Sequence, residues 1–150
     1  MTVQGGFFWD ETFVCTTSGA LGPYPTTSGM FRAVSLSTGI LPPAIGGVPP
    51  VLLTASATEG VNGAIGVLQN DPKVGQAAIV RLLGSTKMEA TTSAAVTYGA
   101  LVSVNAIGQA MVADTTGQRV IGQCITASTG LVAGSLCEVL MFPRPTLQLV

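Results

Sequence analysis

The sequence predicts an all-β protein: a small barrel or sandwich core of about eight short strands, preceded by an extended Pro/Gly-rich N-terminal arm. Three observations predict it. Short apolar runs recur at intervals of about 8–12 residues with turn residues between them. No window of eleven residues or more carries a helical period. Glycine (19) and proline (9) punctuate the chain throughout its 150 residues, most densely in its first third.

The first 55 residues form the arm. Phe7-Phe8-Trp9 followed by Asp10-Glu11-Thr12-Phe13-Val14-Cys15 reads as one strand anchored by Phe7, Trp9 and Phe13. Pro23-Tyr24-Pro25 is extended, and Met30 to Leu36 is a second short strand. Leu41 to Pro50, LPPAIGGVPP, is an apolar loop, because its prolines exclude a helix or a central strand. The core is expected over 56–142. Its strands begin with Val51 to Ala57, which straddles the boundary, and continue with Ala64 to Gln69. A turn at Asn70-Asp71-Pro72-Lys73 leads into Gln76 to Leu83, with Arg81 on the outer face. Ser85 to Ala90 alternates, with Thr86 and Met88 on one side. Thr91 to Gly99 has room for a short helical turn. Ala100 to Val104 and Gln109 to Ala113 pair as a hairpin around Asn105 to Gly108. After the turn Asp114 to Gln118 come the last strands, Arg119 to Ala127 and Ser135 to Phe142. Residues 143–150 form a C-terminal tail set off by Pro143 and Pro145, its apolar end suited to docking on the core or on a neighbour.

Composition narrows the function. Charged residues are 9% of the chain, where about 25% is usual. A soluble protein with so little charge is weakly kept apart from its neighbours, so self-association or attachment to a larger assembly is expected. The six basic residues, Arg32, Lys73, Arg81, Lys87, Arg119 and Arg144, are scattered singly and give no footprint for nucleic acid. The longest uncharged stretch, 33–58, is broken by proline pairs, so no membrane span is expected. Met1 to Asp10 carries no signal-peptide pattern, and synthesis in the cytoplasm is expected.

Catalytic chemistry is not visible. The chain has no histidine, which removes Ser-His-Asp and Cys-His systems. Asp10 and Glu11 are adjacent, so on a strand they point to opposite faces. Glu59, Glu89, Asp114 and Glu138 are isolated, and Asp71 sits in a turn; all of them read as solvated or turn-capping carboxylates. Gly60, Gly63 and Gly66 lack the context of a nucleotide loop and read as turn glycines. Cys15, Cys124 and Cys137 match no zinc or redox spacing, and the last two read as buried free thiols. No enzyme, metal or cofactor is expected.

Gly66 to Gly84, GVLQNDPKVGQAAIVRLLG, with Gly84-Ser85-Thr86-Lys87 after it, resembles a recurrent segment of the tailed-phage head decoration, or capsid cement, proteins. Tyr98 to Val102, Gly108-Gln109-Ala110, Arg119 to Cys124 and the closing CEVLMF strand are also similar, so the resemblance covers about 58–142. It implies a structural virion protein on the outer capsid surface, a homotrimer that ties neighbouring major capsid protein subunits together. Phe7, Phe8, Trp9, Phe13, Leu41 and Ile45 are the expected capsid or subunit contacts. A carbohydrate-binding host-recognition module and a tail or neck component are the alternatives.

Overall fold

The computed structural model describes residues 8–15, 30–35, 50–51, 64–72, 76–128 and 135–142. Over these residues the chain is all-β, without helix. The strands are β1 (Trp9–Cys15), β2 (Ala33–Ser35), β3 (Pro50–Val51), β4 (Ala64–Leu68), β5 (Ala77–Glu89), β6 (Leu101–Val104), β7 (Ala110–Val112), β8 (Gly122–Thr126) and β9 (Leu136–Met141). They form one sheet in the order β2-β4-β5-β9-β8-β6-β7, with β1 added to β5 and β3 to β1. All but the β1–β3 pair are antiparallel.

The two ends of this path meet, which makes the sheet a nearly closed barrel. The Ala33 amide at the start of β2 donates to the Gly108 carbonyl in the β6–β7 turn at 2.8 Å. Beside it, Ala90 bridges to Ala110, and the Thr91 amide donates to the Ala110 carbonyl at 2.9 Å. The turn that makes this possible is written in the sequence. Asn105 Oδ1 accepts from the Ile107 and Gln109 amides, and Gly108 takes φ +80, where a side chain is strained.

β5 carries most of the architecture. Ala78, Val80, Thr86 and Met88 point inward and are buried, while Ile79 and Lys87 between them are exposed. The sequence suggests two strands here, Gln76 to Leu83 and Ser85 to Ala90. The structure has one, because Gly84, at φ +99, bends the strand without ending it. Its first half pairs with β1 and β4 and its second half with β9. Gly66 is likewise in mid-strand and not in a turn. A Cβ there would collide with the Arg81 carbonyl, so glycine lets β4 and β5 approach. Thr91 to Gly99 forms bends and a turn without helix.

The barrel interior is filled by small and β-branched side chains, among them Val67, Met88, Val96, Val102, Val139 and the thiols of Cys124 and Cys137. A second cluster, Val34, Leu68, Ala78 and Val80, packs with Phe13, Ile65 and Leu82. Neighbouring residues Val67 and Leu68 thus serve different clusters, and β4 is buried on both faces.

At the seam lies a charge pair that composition does not reveal. Arg32 and Glu89, 5% and 3% exposed, form a salt bridge at 2.7 Å. Gln109 Nε2 donates to Glu89 at 2.8 Å, and Asn105 Nδ2 donates to Gln109 at 2.9 Å. Glu89 is therefore no solvated carboxylate. It ties the start of β2, the end of β5 and the β6–β7 turn together.

Candidate functional site

β1 lies antiparallel to β5 in a register that sets Asp10 opposite Arg81 and Phe13 opposite Ala78. Arg81 Nε and Nη2 donate to the two Asp10 oxygens at 2.8 and 2.9 Å, and Nη1 donates to the Ser85 carbonyl. The Arg81 hydrogen bond, more than its charge, holds the Asp10 carboxyl below its usual range; the same contact raises Arg81. The guanidinium also stacks over Phe8, 4.4 Å from the ring centroid. The sequence expectation that Arg81 faces outward holds, and its partner comes from 71 residues away.

The other face of β1 is apolar. Trp9 and Phe13, four residues apart, project to the same side, with Glu11 between them accepting from the Trp9 indole at 2.7 Å. They form one wall of a groove of about 460 Å³. Its floor is Ile65 of β4 and Leu82 of β5, and its far wall is the segment from Arg119 to Ile121 with the end of β9, Met141 and Phe142. Arg119 is exposed and makes no ion pair or hydrogen bond among the described residues. Phe8 and Trp9 are about half exposed, at 49% and 46%, a large apolar area for a strand at the side of a sheet.

Of the residues expected from sequence to make contacts, the structure brings Phe8, Trp9 and Phe13 together on β1. Phe7, Leu41 and Ile45 lie outside the described residues. Ile65, Leu82, Arg119 and Phe142 were not foreseen. They come from four separate segments, and each reads locally as an ordinary strand position, so no sequence signal marks them.

The arrangement is suited to binding. Asp10 is neutralised by Arg81, Glu89 is sealed in its own pair, and Glu11 holds an indole, so no two carboxylates converge on the groove. Among the described residues no group of three or more potential metal ligands occurs. Cys124 and Cys137 are free and buried, as expected. Burial pushes the Cys137 thiol up to about 12, and it raises Cys124 as well.

An all-β barrel with an apolar groove and no converging reactive groups has the character of a structural component. The phage cement protein family matches residues 48–138, and the chain belongs to that family. It is a phage structural protein. No curated protein matches the chain. Among solved structures it is similar to the head fibre N base of bacteriophage phi29, with a TM-score of 0.57 and 15% identity over 95% of this chain and 99% of that one. At that identity the likeness is one of fold. The family match begins just before β3, so β1 and β2 fall outside it.

Proposed function

We propose that the protein binds the outer surface of a phage capsid and cements neighbouring major capsid protein subunits, stabilising the mature head. Membership of the cement family over 48–138 is the observation that carries this reading. The half-exposed aromatics of β1 beside an apolar groove, on a chain with few charges, support it. A ligand that binds only the mature shell stabilises that state by mass action, and many copies add their modest energies. The protein acts without catalysis, as a homotrimer, and is made in the host cytoplasm before joining the virion. The division into an arm (1–55), a core (56–142) and a tail (143–150) belongs to the same proposal, with the arm pinned to the barrel through β1 and β2.

Co-sedimentation of the full chain with undecorated, expanded heads tests the reading. The expected result is saturation near one copy per major capsid subunit, with a shell more resistant to heat. Failure to bind any head form would overturn it and turn attention to tail assembly or glycan binding.

A further inference from the structure

The groove beside β1 adjoins an unused sheet edge. Among the described residues, β1 is paired along Trp9–Val14 by β5 on one side. On its other side, β3 meets only Val14 and Cys15. β3 begins at Pro50, and in sequence Pro49 precedes it; neither has an N–H to give, so that segment is a poor donor for extending the ladder toward Trp9. The backbone of residues 9–13 is left as an edge, and such an edge is a template for an added strand. Trp9 and Phe13 of the same strand wall the groove, whose volume of about 460 Å³ suits a few apolar side chains.

Charge narrows the occupant. Glu11 already accepts from the Trp9 indole, whereas Arg119 on the opposite wall is exposed and without a partner among the described residues. The unmatched charge of the groove is positive. A second copy pairing β1 with β1, centred on this stretch, would set Glu11 against Glu11, and like charges directly opposite are destabilising.

We infer that β1 and its groove seat an extended acidic-apolar segment of a neighbouring capsid subunit, added as a strand. Two apolar side chains, two residues apart, enter the groove, and an aspartate or glutamate pairs with Arg119. This inference rests on the cement reading and specifies its mode of contact.

The test places a photo-crosslinking side chain at Thr12, exposed on β1, in the full-length protein bound to expanded heads. The expected product joins Thr12 to one peptide of the major capsid protein, holding an apolar pair two residues apart and a nearby carboxylate. R119E is expected to weaken head binding about tenfold or more, and R119K to restore most of it. Because Arg119 has no partner in the described fold, the melting temperature of isolated R119E should match that of the wild type. Head-bound protein that crosslinks only to itself, or R119E that binds as tightly as the wild type, would overturn the groove assignment and leave the cement reading standing. Wild-type protein that binds no head form would overturn both.

Discussion

Replacing Gly108 with alanine is expected to open the barrel where its two ends meet. A Cβ at Gly108 would lie 2.6 Å from the Ala33 carbonyl oxygen, where ordinary contact begins at 3.4 Å. The turn must therefore retreat by about 0.8 Å. The Ala33 amide to Gly108 carbonyl bond, now 2.8 Å, then lengthens to about 3.6 Å, beyond hydrogen-bond range. An alanine at φ +80 adds left-handed backbone strain of about 1–2 kcal/mol. Losing the bond, with buried groups left unpaired, costs about 1–2 kcal/mol more. The sum, about 3 kcal/mol, corresponds to a fall in melting temperature of about 9 °C for a domain of this size. Gly117→Ala is the matched control. Gly117 has φ +92 but open space around its Cβ position, so only the strain remains, about 4 °C. Thermal unfolding of both variants, followed by circular dichroism, reads the difference. Equal losses in the two would refute a tight closure at Gly108.

Other consequences follow from the ion pairs and the thiols. Glu89→Gln leaves Arg32 buried without its counter-charge and should cost about 3–5 kcal/mol, whereas Arg32→Met combined with Glu89→Leu should recover most of it. Urea midpoints measure this, and a double variant as unstable as the single one would show that the charges themselves are not the issue. The Asp10 carboxyl is held low in the folded protein, so its contribution is present above the ordinary aspartate range and fades as pH falls through the folded value. Asp10→Asn should therefore be less stable than wild type by about 0.5 kcal/mol at pH 7, with the gap closing in acid. A gap that stays constant down to pH 2 would contradict this. At pH 8, alkylation of Cys124 and Cys137 in the native protein should run about a hundredfold slower than in urea, because burial raises both thiols. Comparable rates would mean that the barrel interior opens readily.

The strands were legible because alternation and turn chemistry are local. DTTGQ is a turn because Gln118 Oε1 accepts from the amides of Asp114 and Thr115, all within five residues. NAIG is a turn for similar reasons. What was misread depended on distant partners. Gly84 and Gly66 look like breaks in sequence, yet each sits inside a strand, one bending β5 and the other admitting the β5 backbone. Glu89 looks like an isolated surface acid, and only its approach to Arg32, 57 residues away, makes burial tolerable. The groove has the same character. Phe8, Trp9 and Phe13 announce themselves as a cluster, but the floor and far wall exist only once β4, β5 and β9 are in register.

These pairings bear on why a chain of this composition should end up covered. It carries six basic and seven acidic side chains, and four of the thirteen neutralise one another in the Arg32–Glu89 and Asp10–Arg81 pairs. One of those pairs is buried and gives nothing to the surface potential. The Leu101–Gln123–Leu140–Ser85 row, which runs across β6, β8, β9 and β5 on the outside of the barrel, has no charge at all. Leu140 in that row is 43% exposed, and Tyr98, beside the Gly99 carbonyl that Gln123 holds, is 77% exposed. Little electrostatic repulsion is left to oppose close packing of copies or of partners. A free monomer would show this as concentration-dependent association that added salt barely changes, since there is little charge to screen. On a capsid the same surface loses little by being buried, because few charged groups need to be stripped of water.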